Sequence, residues 1–251
     1  MSETDIEWTD MSWNPVTGCT KVSNGCQNCY AERVAYWIQG MGEDKYRNGF
    51  ELTVHREYMS EPLTWQKPRR VFVCSMSDLF HEEVSDDFIF EVSQVMGEAN
   101  RHDFQVLTKR PERLETLNPV IHWPENVWMG VTVEDAAYLD RLQPLKSCEA
   151  AVKFISFEPL LGPIPEPNLE GIDWVIVGGE SGPSARAMEK QWALDLRDVC
   201  LDRGIPFFFK QWGGKHKKEG GRLLEGREWN QFPILPRRGA ERRAPIQEAG
   251  T

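Results

Sequence analysis

Eight short runs rich in β-branched and aromatic residues recur along the chain, and most of them are followed by a segment with helical periodicity. The runs are MSWNPVTG at 11–18, FELTVH at 50–55, VFVCS at 71–75, FQVL at 104–107, WMGV at 128–131, KFI at 153–155, WVIV at 174–177 and PFFF at 206–209. The clearest helical partner is VSDDFIFEVSQVMGEA, where Val84, Phe88, Val92, Val95 and Met96 recur on one face. Apolar strands separated by crossovers of this length pair in parallel, so the rhythm predicts an α/β fold built as a (β/α) barrel, closed or partly open. The repeat ends near Lys215, which divides the chain into a barrel over 1–214 and a C-terminal extension over 215–251, whose last residues, 236–251, read as a mobile tail. At 40% hydrophobic and 27% charged residues the composition is that of an ordinary globular protein. No apolar run approaches the roughly 18 residues that a bilayer span needs, and the acidic N-terminus lacks a basic-then-apolar leader. The expectation is a cytoplasmic protein without membrane partners.

Nearly every run ends in polar or ionisable residues. Ser77 and Asp78 follow the third run, Thr108, Lys109 and Arg110 the fourth, Thr132 and Glu134 the fifth, and Ser156 and Glu158 the sixth. Gly178, Gly179, Glu180 and Ser181 close the seventh, and Lys210 and Gln211 the eighth. In a barrel these ends open on one face, where loops build the active site. A single such tip is usually a loop ion pair, but six converging tips predict a pocket in which Glu134, Glu158 and Glu180 face Lys109, Arg110 and Lys210. Against 29 basic residues stand 39 acidic ones, and the net charge of -10 disfavours broad adhesion to nucleic acid. The basic KHKK at 215–218, and Arg237, Arg238, Arg242 and Arg243, suit phosphate, though solvated surface is the commoner reading. Ten tryptophans leave some to line a pocket for a flat ligand.

Three of the six cysteines, Cys19, Cys26 and Cys29, lie in the loop after the first run, whereas Cys74, Cys148 and Cys200 are scattered as packing residues. In a reducing compartment a clustered set points to a metal or redox site. Cys29 precedes a predicted helix, whose dipole favours a thiolate. A structural zinc site needs four ligands, which His55 or His81 could complete. An iron–sulfur cluster also favours thiolates, and with only three supplied it leaves one iron open to a small molecule.

The loop GCTKVSNGCQNCYAE, with Tyr30 after the last cysteine and a strand–helix repeat behind it, resembles the radical S-adenosylmethionine superfamily. More closely, IEWTDMSWNPVTGCTKVSNGCQNCYAE together with SDLF, LTKRP, GVTVED, ISFEPLLGP and VIVGGESG resembles a phage-associated three-cysteine family of unassigned function, over about residues 5 to 214. The superfamily's usual gaps between cysteines are three and two residues; here they are six and two. The resemblance implies a 4Fe-4S cluster on Cys19, Cys26 and Cys29, with S-adenosylmethionine chelating the fourth iron. Reductive cleavage of the sulfonium would yield a 5'-deoxyadenosyl radical that takes hydrogen from a substrate, and an electron donor is implied as partner. The cofactor-binding candidates are Ser77, Asp78, Lys109, Thr132, Glu134, Ser156, Glu158, Gly178, Gly179 and Glu180. The carboxylates serve as acceptors for amino or ribose hydroxyl groups, and Lys109 with Arg110 pairs a carboxylate or phosphate. The expected substrate is a small molecule or nucleotide, with nucleic acid compatible but not required. The alternative is a zinc-stabilised nucleic-acid-binding or accessory phage protein.

Overall fold

The computed structural model describes residues 2–216 and 219–234. Seven parallel strands form one sheet in chain order: β1 (Met11–Trp13), β2 (Arg70–Val73), β3 (Asp103–Thr108), β4 (Val127–Thr132), β5 (Val152–Phe157), β6 (Trp174–Gly178) and β7 (Phe207–Gln211). A two-residue strand, Ser2–Glu3, adds antiparallel to β1. The crossovers carry α1 (Tyr30–Gly40), α2 (Asp86–Glu98), α3 (Pro111–Leu117), α4 (Leu142–Ser147) and α5 (Lys190–Asp202). The anticipated face of α2 is realised: Ser85 caps its start by accepting from the Phe88 amide, Asp86 and Asp87 favour the first turn, and Phe88, Val92 and Met96 are buried. After β5 the Pro- and Gly-rich segment crosses without a helix.

One of the eight anticipated parallel strands does not join the sheet. In FELTVH only Thr53–Val54 is extended, and it pairs antiparallel with Val16–Thr17 in a separate ribbon. Its side chains explain the difference. The inserted strands are buried on both faces, as parallel strands are, whereas Thr53 is half-buried and Val54 exposed.

Both faces of the sheet are apolar and alternate residue by residue. Val71, Val73, Phe104, Val106, Val175 and Val177 pack outward with the helices, while Phe72, Trp128, Phe154, Trp174 and Phe208 point to the opposite, concave side. A flat sheet would hold β2 and β6 four strand spacings, about 19 Å, apart. Yet the single indole of Trp8 touches Phe72 on β2, ring centroids 4.7 Å apart, and Trp174 on β6 at 6.3 Å. The sheet is therefore curled into a half-barrel around this aromatic plug. Gly130 on β4 makes room for it, since a Cβ there would meet the Phe154 ring at 2.5 Å.

The two edges do not meet. The edge of β7 is covered instead by the described part of the C-terminal extension, with Phe209 donating its amide to Trp229 and Gln231 donating to Phe207. Phe232 closes the base of the plug against Trp174 and Phe208. The basic Arg237, Arg238, Arg242 and Arg243, and the anticipated mobile tail, lie outside the described residues, as do residues 217 and 218 of KHKK. Among the described residues no helix is long and apolar enough to cross a membrane.

Candidate functional site

Above the aromatic plug the strands turn polar where they end, and the curl brings those ends around a cavity of about 540 Å³. That volume lies in the range of sites for small molecules and cofactors. Every predicted site residue lines the cavity except two: Glu134, fully buried behind the wall, and Gly178, the last residue of β6.

The carboxylates have unequal duties. Asp78 accepts from the Thr108 hydroxyl at 2.8 and 3.0 Å and from the Phe80 and Lys109 amides at 3.0 Å each, which ties the end of β2 to the end of β3. Glu134 accepts from Arg141 at 2.8 Å and from the Ser23 hydroxyl at 2.5 Å, with Lys109 4.0 Å away. Glu180 accepts from the Arg186 guanidinium and amide and, at 3.0 Å, from Asn28. Burial alone would raise the Glu180 carboxyl, but the Arg186 and Asn28 hydrogen bonds hold it below its ordinary value. Ser23 and Asn28 belong to the cysteine loop, so Glu134 and Glu180 latch that loop across the half-barrel to the ends of β4 and β6. Arg186 adds a bond to the Asn24 carbonyl. Gly25 permits the close approach: a Cβ there would meet the Glu134 carboxylate at 2.5 Å.

The cavity itself receives Glu158, which accepts from Ser156 at 3.1 Å and faces Lys210 at 3.3 Å. Two buried polar atoms on the wall have no partner among the described residues, the Thr132 hydroxyl and the Gln211 side-chain oxygen. Such orphaned groups cost about 1–3 kcal/mol each unless something that enters the cavity satisfies them.

Cys19, Cys26 and Cys29 are free thiols on the same wall. Cys29 is the N-cap residue of α1. Burial pushes the Cys19 thiol up to about 12, and the charges of Cys26 and Cys29 act on it in the same direction. Burial also acts upward on Cys26, yet the Lys109 ammonium and hydrogen bonds from Val22 and Ser23 outweigh it and leave that thiol below its ordinary value. Neither histidine is offered to the loop as a fourth ligand. His55 bonds the Thr17 hydroxyl at 2.8 Å; His81 accepts from the Glu83 amide through Nδ1, which leaves its Nε2–H to donate to Thr20 at 2.9 Å. Among the described residues no three His, Cys, Asp or Glu side chains stand close enough together to grip a metal ion. The thiols share a wall, and a cluster would have to draw them to one centre.

Strand-tip reasoning passes over Arg141 and Arg186, the partners of Glu134 and Glu180. Their mark is in the sequence nonetheless, because Glu180 and Glu134 are followed six and seven residues later by an arginine, in ESGPSAR and EDAAYLDR.

Comparison with known proteins gives one family. Residues 3–233 match the model described as protein of unknown function (DUF5131). No curated protein matches the chain. Among solved structures, spore photoproduct lyase complexed with dinucleoside spore photoproduct is similar at 12% identity and TM-score 0.46, covering 79% of this chain and 75% of that one. A mutant of the same lyase with bound AdoMet and dinucleoside spore photoproduct aligns at 10% identity and TM-score 0.44, covering 66% of this chain. The chain spans about 55% of the length of that second structure.

Proposed function

The chain belongs to the DUF5131 family, and we propose that it is an iron–sulfur enzyme of the radical S-adenosylmethionine type acting on a nucleotide or nucleic-acid-related substrate. The observation that carries this reading is the placement of three free thiols, with both nearby histidines engaged elsewhere, on the wall of a cavity built from the strand ends. In number and type the donors suit the cluster, which would have to draw them to one centre: three sulfurs from one loop leave one iron of a 4Fe-4S cluster for a small molecule and do not complete a tetrahedral zinc site. When bound, such a cluster and S-adenosylmethionine supply reductive cleavage of the sulfonium to a 5'-deoxyadenosyl radical.

The protein's own residues bind and orient. Glu134 and Glu180, paired with Arg141 and Arg186, fasten the loop that carries the thiols. Lys109 sits beside Cys26 and favours its thiolate form, the form that ligates metal. The Glu158 carboxylate, the orphaned Thr132 hydroxyl and the Gln211 oxygen are the acceptors left for amino and hydroxyl groups of a cofactor or substrate. The aromatic plug closes the floor against water. An electron donor and a cytoplasmic setting belong to the same reading.

The test is anaerobic purification and incubation with reductant and S-adenosylmethionine. The expected result is brown protein that forms 5'-deoxyadenosine, with both properties lost when Cys19, Cys26 and Cys29 are replaced together by Ala. Colourless protein carrying one zinc ion would sink the reading.

A further inference from the structure

We infer that the outer face of α1 is a binding platform for single-stranded nucleic acid, leading one nucleotide of the strand into the cavity. The inference rests on the nucleotide reading above and narrows it from a free nucleotide to a polymer.

The starting observation is where exposed aromatic rings occur. Among the described residues the exposed large aromatics are Tyr30, Tyr36 and Trp37, and all three stand on α1. The other described rings are buried or half-buried, Trp8, Trp13 and Trp174 almost completely. Trp37 is 66% exposed, against a core in which Ala31 and Ala35 face inward. At 100° per residue, Tyr30, Arg33 and Trp37 fall within a stripe about 60° wide, opposite the buried alanines. The stripe runs about 10 Å along the axis from Tyr30 to Trp37, the length of about three stacked nucleotides.

The near end of the stripe is the cavity mouth. Tyr30 and Arg33 line the cavity, and the Tyr30 hydroxyl donates to the Ser75 carbonyl at 2.5 Å, which holds the ring there. The Arg33 guanidinium rests against Gly182 on the far side of the mouth, where a Cβ would come within 2.2 Å of one of its nitrogens.

Charge agrees with a polyanion here although the whole chain is acidic. The one carboxylate on α1, Glu32, is neutralised by Lys21 at 2.8 Å. Arg33 and Lys215 are exposed cations on the cavity rim. Rings for stacking beside a few cations suit a single strand, whose bases are open to stack. A duplex keeps its bases inside, and its affinity rests mainly on phosphate contacts, for which two rim cations and a net charge of -10 are a poor match.

Fluorescence anisotropy of labelled oligo(dT) and oligo(U), about twelve nucleotides each, tests the inference with the full chain. The expected result is binding of at least one single strand that exceeds duplex binding; which oligomer binds tells DNA from RNA. Trp37→Ala should weaken binding roughly 5- to 100-fold. Arg33→Ala should weaken it and flatten the log–log salt slope by about 0.7 for each phosphate the protein no longer neutralises. Val120→Ala, a substitution at an exposed apolar residue far from α1 in sequence, should change nothing. Trp37 and Arg33 are exposed, so folding is checked by an unchanged circular dichroism spectrum. Affinity of Trp37→Ala within twofold of wild type, or duplex bound as tightly as single strand, would overturn the inference. So would absence of oligonucleotide binding, which leaves this face to a protein partner. Binding is read without S-adenosylmethionine. Protein that binds the strand but never forms 5'-deoxyadenosine fails the enzyme reading alone, and protein that forms it yet is indifferent to Trp37 fails this one alone.

Discussion

Glu134 shows how a single residue can be legible in type and hidden in duty. A carboxylate at the end of an apolar strand marks the site, and it does lie there, but with 0% exposure it faces Arg141 and Ser23 rather than the cavity. Removing it leaves the Arg141 guanidinium, itself buried, without its counter-charge. Glu134→Ala should therefore destabilise the protein by about 3–5 kcal/mol, read as a drop in the urea midpoint. Hydrogen exchange at residues 19–29 should rise in the same variant, because one latch of the loop is gone. The cysteines were legible because thiols are rare and clustered. The arginines that hold the loop were less so, since the sequence shows spacing but not which way a side chain turns.

At the scale of elements, periodicity carried most of the information. Strands β2 to β7 are apolar on both faces and stand out from their surroundings, and α2 displays its cap and its buried face in order. The segment 50–55 was the exception: its mixed polar and apolar residues read as a strand, and it is one, but only two residues long and outside the main sheet. What periodicity does not show is how tightly strands must curl. Gly130 faces the concave side at the point where the Phe154 ring needs its space. Gly130→Ala should cost about 1–3 kcal/mol by overpacking, measured by chemical denaturation. Trp8→Ala, which empties the centre of the plug, should cost about 3–5 kcal/mol in the same assay.

For the molecule as a whole, several carboxylates have folded-state values held below their ordinary ones. Asp10 beside Arg70 and Glu180 beside Arg186 are lowered, in each case against the upward pull of burial, and Glu82 is brought to about 2 chiefly by its hydrogen bond from Arg110. A depressed carboxylate stabilises the folded state fully above its unfolded-state value and loses that contribution as pH falls through its folded value. The urea midpoint should hold near neutral pH, then decline from about pH 5 downward. Glu180→Gln should lower the midpoint at neutral pH and make the acid decline shallower, because one of the groups that drives it has been removed.

The sequence alone was enough for the alternation of strand and helix, the polar strand ends and the trio of thiols in one loop, because each depends on residues near one another in the chain. Only the tertiary structure decided that the sheet stops at a half-barrel, that Glu134 and Glu180 close over the cysteine loop, and that the exposed rings gather on one helix beside the cavity. Those outcomes depend on where distant segments meet: Trp8 reaching both β2 and β6, and residues 229–231 occupying the edge of β7 that a closed barrel would have used. Local pattern sets what each strand buries, but the curvature and the pairing of its charges arise from contacts that no short window of sequence contains.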